Sequence, residues 1–471
     1  MRKIRVSLFI IASIIASCNN NLRNEQQAVL LSDTASEASC VFLAEDEKNL
    51  PVISWCETDR TNDRKSFYMA TFDKNTGRFL PRVTIPIEQN ASFHEEGMPK
   101  IAVKANGTIV AVYETAVPSD SNRFAGFVHY IVSTDKGKTW TEPACVHSDI
   151  AAGKSHSFAS ITRLSDGEIG ACWLDESFNR SAGGRPVVFA KTNGQNKFGN
   201  QLILDSVACQ CCRIAINSDT GGRITVAFRD IIDDSIRDMS VCSSEDKGRT
   251  FTRAVSFSKD EWVINGCPHN GPSVASAGNN TYAAWFTGGP HKGVYYCEMN
   301  ERKEMLSKQL VSNHGRFIQL CLMPDGSRVL AYNENVEAGG KVYSKIVLNK
   351  IANNKTYSSD LSTGNSMASY PVIRSFGPDK VIVAWADNQK IYYAIKDLAG
   401  INREVQQLAM NAPVRMQDLS YIKLSNSKDP VCGMPLSMAP GDTTLFKERV
   451  YGFCSDICKN RFLQKPGSFI K

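Results

Sequence analysis

No run of lysine or arginine in the 471 residues is dense enough to form a nucleic-acid patch, although the formal net charge is +6, so nucleic acid is excluded as a partner class. No stretch beyond the first twenty residues has the apolar length of a spanning helix, which excludes a chain that crosses a bilayer repeatedly on helices. Histidine is scarce at seven residues, so the places where it gathers carry information. Cysteine is the exception: there are fifteen, without the dense spacing of a small disulfide-rich domain, and disulfides or metal must account for them. With 42% hydrophobic and 22% charged residues, the chain has room for one large globular domain and a small one.

Arg2, Lys3 and Arg5 precede an apolar run from Val6 to Ile15, too short to span a bilayer, and the run ends in Ala16, Ser17 and Cys18. This arrangement resembles a bacterial lipoprotein signal; an ordinary signal peptide with an incidental cysteine is the alternative. The resemblance implies that residues 1–17 are removed, that Cys18 is lipidated, and that the membrane is a partner through this anchor. Since Asn19, Asn20 and Asn21 follow with no acid among them, the expected address is the outer membrane, facing the periplasm. Loss of Arg2, Lys3 and Arg5 lowers the net charge from +6 to +3.

A polar tether over residues 18–37 is expected to lead into a large domain over 38–410, where one phrase recurs: alternating apolar residues, a Gly or Asp turn, and a second strand ending in an aromatic and an acid. Its copies end at Trp55, Tyr113, Trp173, Phe228, Trp285, Tyr332 and Trp385, about fifty to sixty residues apart. That period suits four-stranded blades and predicts an all-β fold, a β-propeller. Seven copies favour seven blades; six stays open because the first copy, Asn49-Leu50-Pro51 to Trp55-Cys56-Glu57, is the weakest.

Two copies continue into Ser133-Thr134-Asp135-Lys136-Gly137-Lys138-Thr139-Trp140 and Ser244-Glu245-Asp246-Lys247-Gly248-Arg249-Thr250-Phe251. Both match the Asp-box and resemble the sialidase-like (BNR) propeller family. These boxes are expected to clip their own hairpin turns at the blade periphery rather than to do chemistry.

In an antiparallel blade the start of the innermost strand and the end of the second lie on one face, so residues flanking each phrase line a central mouth. Gathered there are His94, Glu95 and Glu96, then His156, Cys209, Cys211 and Cys212, then Cys267 and His269, and finally His314 and Tyr370. Imidazoles and thiolates in one funnel point to a soft-metal site, with copper or zinc as the ion and Cys209, Cys211, Cys212, Cys267, His269 and His156 as ligands. Disulfides are the competing account of the cysteines. Glu114, Asp175, Asp230, Glu334 and Asp387 are expected to ring the same face.

A linker over 411–427 precedes a last domain, 428–471, with Asp429-Pro430-Val431-Cys432-Gly433-Met434 and Tyr451-Gly452-Phe453-Cys454-Ser455-Asp456-Ile457-Cys458 before Phe462. This segment resembles the YHS family, which implies a small α+β domain that handles a heavy metal through Cys432, Cys454 and Cys458. No histidine lies between the two elements, so three sulfurs are offered.

The sialidase resemblance implies an arginine triad, an acid/base and a tyrosine nucleophile. Tyr370 falls where the nucleophile would, Arg213, Arg229, Arg237 and Arg316 are the available guanidinium groups, and Arg229-Asp230 and Arg237-Asp238 read equally well as ion pairs at the mouth. The phrase Gly97-Met98-Pro99 lacks the arginine that grips the substrate carboxylate. The leading expectation is therefore an anchored envelope lipoprotein that handles copper or zinc. The alternatives are a metal-dependent enzyme of the mouth, a sialidase-type glycoside hydrolase, or a propeller that only binds a glycan or an envelope protein.

Overall fold

The computed structural model describes residues 28–178, 183–264, 266, 268–339, 341–362, 366–408, 423–431, 436, 442–453, 458–459, 462–463 and 465–470. The signal and Cys18, as well as Cys267, Cys432 and Cys454, lie outside the described residues. Among the described residues no helix is long and apolar enough to cross a membrane.

Seven antiparallel sheets form the blades of a propeller. Their innermost strands are Ser36–Glu45, Lys100–Val103, His156–Arg163, Ala215–Ser218, Ser273–Ala277, Gly315–Leu322 and Ser369–Phe376, each followed outward by its hairpin partner. The recurring aromatics all sit on second strands and all are buried. Both faces of a blade are covered by neighbours, so successive residues serve different cores. Trp55 packs toward the seventh blade with Ile382 and Ala384, whereas Cys56 packs toward the second with Ile101 and Tyr113. The core is thus divided into interfaces between adjacent blades, such as Val112 and Trp173 joining the second and third, and Met239 and Trp285 joining the fourth and fifth.

The first phrase was framed one strand too late. Pro51–Asp59 is by itself the second strand of the first blade, and its inner partner is Ser36–Glu45, which lies partly in the expected tether. The tether is shortened again at Val29–Leu30, which pairs with Tyr393 and Tyr392 as the outermost strand of the seventh blade. Val29–Leu30 thereby ties the segment that leads into the first blade to the sheet of the seventh.

Both Asp-boxes act as clips. The Asp135 carboxylate accepts the Thr139 N–H and hydroxyl at 2.9 and 2.6 Å, and Gly137 donates its N–H to the Ser133 hydroxyl at 2.8 Å. Asp246 accepts the same two bonds from Thr250. Hydrogen bonds from Thr139 hold Asp135 at about 2, well below the usual carboxylate range.

In the C-terminal segment the hairpin of Asp442–Phe446 and Arg449–Phe453 packs on Phe462, with helical residues at 458–459 and 462–463. Tyr451, Phe453, Cys458 and Phe462 form its buried cluster.

Candidate functional site

Four inner strands break register at equivalent places, between Ser39 and Phe42, Ser157 and Ser160, Arg316 and Gln319, and Ser369 and Val372. At each break one residue has a left-handed backbone: Cys40 at φ 58°, Phe158 at 57°, Phe317 at 52° and Tyr370 at 52°. Such bulges re-aim a side chain, and the conformation costs free energy for a residue with a Cβ. Repetition around the axis marks the mouth as the part of the fold where local regularity is given up.

The mouth has a floor built by residues that approach the second blade. Both Glu95 oxygens accept the Cys40 N–H, each at 3.1 Å, from the first blade. Glu96, almost wholly buried, accepts the Arg213 guanidinium at 2.6 Å, the Arg213 N–H at 3.1 Å and the Gly271 N–H at 2.7 Å. Arg213 in turn donates to the Ile318 carbonyl at 3.0 Å. A single ion pair therefore ties the second blade to the fourth, fifth and sixth. Burial alone would raise the Glu96 carboxyl, but Arg213 and the two N–H donors bring it below its ordinary value. Beneath it, burial lowers the Lys100 ammonium to about 8 and raises the Glu114 carboxyl to about 7. The Lys100 ammonium donates to the Ala159 carbonyl at 2.7 Å.

On the side of the third and fourth blades the structure brings Cys209, Cys211 and Cys212 together, their sulfurs all within 4.8 Å of one another and those of Cys209 and Cys211 at 3.7 Å. All three are buried thiols packed with Ile231, Val207 and Phe158. Hydrogen bonding to Cys211 pushes the Cys209 thiol up to about 12, and burial does the same to Cys212, while the nearby Arg229 guanidinium pulls both the other way. Three sulfurs this close need only a small inward movement to reach one ion at about 2.3 Å from each, so the donor set fits a soft metal.

The other expected ligands divide. His94 and His269 face each other with ring centroids 5.4 Å apart, and His94 meets Phe158 edge-on at 5.7 Å, so these imidazoles stand next to the residue that covers the thiols. His156 is not brought to the thiols. Its ring stacks on His147 at 3.6 Å, and its nitrogens contact the Gly126 carbonyl at 3.2 Å and the Ser177 hydroxyl at 2.9 Å. Cys458 is buried in the apolar cluster of its own segment.

Opposite the thiols, a cavity of about 760 Å³ opens between the first, sixth and seventh blades, and Lys465, Ser468 and Phe469 of the C-terminal segment contribute to its lining. Tyr370 and Phe317 lie against each other there at 3.9 Å, beside Arg316, Glu95 and Asn333. Arg316 lies over the Phe286 ring at 3.7 Å.

Arg229 makes no ion pair with Asp230: it donates to the carbonyls of Arg237, Asn270 and Phe286 at 2.7 to 2.8 Å and lies over Trp262. Asp230 accepts the Ser240 hydroxyl and the Ile231 N–H, and burial lifts it to about 6. Of the expected acids, Asp175 accepts the Trp173 indole N–H at 2.8 Å within its own strand, whereas Glu334 accepts the Ser312 hydroxyl of the fifth blade at 2.5 Å and Glu114 the Ala159 N–H of the third at 3.2 Å. Cys40 and the reach of Arg213 were missed in the sequence, since nothing local to either position reveals a partner on a distant blade.

The seven sheets define a β-propeller of seven blades. No family model matches the sequence, and neither does any curated protein. Among solved structures, the chain is similar to a protein of unknown function from Dyadobacter fermentans DSM 18053, with 16% identity over 79% of this chain and 97% of that one and a TM-score of 0.45. It is also similar to the Hadza microbial sialidase Hz136, at 13% identity over 72% and 74% with a TM-score of 0.41. The α-L-arabinanase of Penicillium chrysogenum gives 12% over 67% and 95%, with a TM-score of 0.42. These are likenesses of fold.

Proposed function

We propose that the chain is an envelope lipoprotein, anchored through Cys18, that binds a soft metal ion, copper or zinc, at the propeller mouth. The observation that carries this reading is the convergence of Cys209, Cys211 and Cys212 in a buried pocket. The three thiols bond to one another in the buried pocket; with an ion they would become thiolates and their protons would leave. Arg229 stands where its charge offsets part of theirs. The metal is cargo in this reading, and the YHS-like cysteines 432, 454 and 458 would hold a second ion.

Elemental analysis of the chain lacking residues 1–18, prepared reduced and without oxygen, tests it. The parent should carry copper or zinc, and replacing Cys209, Cys211 and Cys212 with serine should remove one equivalent while truncation at Asn426 removes a different one. A parent with no metal above background would sink the proposal.

A second reading has its own support in the cavity beside Tyr370. A flat aromatic pair flanked by an arginine, a carboxylate and an amide suits a sugar or another polar ligand. Capture fits better than sialoside cleavage, because Arg213 is neutralised by Glu96 and Arg229 is spent on carbonyls, which leaves neither to grip a substrate carboxylate. Glycan binding with unchanged product profiles supports capture; release of sialic acid would restore the hydrolase reading.

A further inference from the structure

Cys40 and Cys56 lie on neighbouring strands of the first blade, in the segment that carries the mouth. Cys56 is directly opposite Ser39, and Cys40 is the next residue, displaced by the bulge between Ser39 and Phe42. The antiparallel Cα spacing of about 4.5–5.5 Å belongs to Ser39 and Cys56; Cys40 is the bulged residue beside that pair, and its side chain joins the same cluster as Cys56. Both side chains are fully buried free thiols, both belong to the cluster that joins the first and second blades, and after burial the Cys40 thiol is the next cause that raises the Cys56 thiol. The same Cys40 holds Glu95 through its backbone N–H, and Ser39 and Glu95 line the cavity.

We infer that Cys40 and Cys56 are a disulfide-forming pair, oxidised while the first blade closes, and that the bond fixes the bulge on which Glu95 rests. The step is thiol–disulfide exchange with a low-molecular or protein disulfide as oxidant: the two thiols lose their protons, one sulfur–sulfur bond forms between Cys40 and Cys56, and the oxidant's own disulfide is reduced to two thiols. Burial accounts for the timing, because a carrier must reach the sulfurs before they are covered. The metal cluster is chemically distinct: Cys209 and Cys211 are two residues apart on one strand end and are held with Cys212 as a trio rather than as a pair.

The inference rests on the export reading only for the natural oxidant, so the test separates the two. Full-length protein is fractionated, denatured in N-ethylmaleimide and digested with trypsin. Peptides 24–48 and 49–60 are expected joined, two hydrogens lighter than their sum, from chain found in the envelope. Both peptides recovered as maleimide adducts from envelope chain overturn the inference. If the chain is not in the envelope, the export reading fails instead, and the pair is decided by refolding the reduced protein in glutathione disulfide, where labelled Cys40 and Cys56 overturn it equally. Replacing both residues with serine should shift the unfolding equilibrium by about a hundredfold against the oxidised parent, from the closure of the loop 41–55, with most of the difference lost in reductant. A difference that persists in full in reductant means packing alone and also overturns it.

Discussion

Replacing Glu96 with alanine should be the most damaging single change at the mouth that touches no cysteine. The carboxylate is almost wholly buried and receives three donors, the shortest from the Arg213 guanidinium at 2.6 Å. Removing it leaves a buried guanidinium with only carbonyl partners and strips the acceptor from two backbone N–H groups. Breaking one side of a buried pair costs about 3–5 kcal/mol, and the orphaned N–H groups keep the value at the upper end rather than adding in full. Against a total stability of about 5–15 kcal/mol, that is a large fraction. Urea unfolding followed by tryptophan fluorescence measures it, and a cycle with Arg213→Met and the pair Glu96→Leu with Arg213→Met isolates the coupling. The paired change should recover much of the loss, since apolar residues of similar volume avoid the stranded charge. Because Glu96 is held below its ordinary carboxylate value, the stabilisation is present above about pH 4 and fades as pH falls through the folded value. A loss under about 1 kcal/mol for Glu96→Ala, or a double variant as unstable as the sum of the singles, would refute the strap.

Cys211→Ser alone should weaken copper(I) retention at the mouth by an order of magnitude or more in competition with a chelator, leaving the fold unchanged by circular dichroism. His147, with Nε2 accepting the Val128 N–H and Nδ1 against the Asp149 carbonyl, is lowered to about 4 by burial and by His156. Its unfolded value lies near 6.5, so stability should decline as pH falls from about 6.5 to about 4, and His147→Gln should flatten that part of the stability profile. Gly248→Ala should destabilise by more than the ~1 kcal/mol of a simple left-handed penalty, because the backbone sits at φ +80° and an added Cβ would lie 2.7 Å from the Phe189 ring; thermal melts of the two proteins check this. In the cavity, Tyr370→Ala should abolish binding of any glycan that the parent retains, measured by glycan array.

How much could be read in advance follows from the range of each interaction. The seven aromatics were legible because strand alternation has period two and each blade repeats its own hairpin, so Trp173 and Trp385 announce second strands from their neighbours alone. The Asp-boxes were legible for the same reason: Asp135 bonds to Thr139 within one turn. His156 was misplaced because its position before an inner strand is shared with the mouth residues, whereas its side chain turns to His147, a packing choice between blades. Arg229 and Asp230 read as an ion pair from adjacency, yet adjacent strand residues point to opposite faces, and the guanidinium found carbonyls on the fifth blade instead.

The sequence by itself determined the repeat, the hairpins, the clips and the presence of three closely spaced cysteines, all of which depend on contacts within a few residues. Tertiary structure alone decided that Val29–Leu30 pairs with the seventh blade, that Glu96 and Arg213 meet between distant blades, that Cys40 and Cys56 share one cluster, and that Tyr370 lies against Phe317. Those pairings join residues far apart in the chain or displaced by a bulge, and they are fixed only when seven blades pack around one axis and bring inner strands from distant repeats within a hydrogen bond of each other.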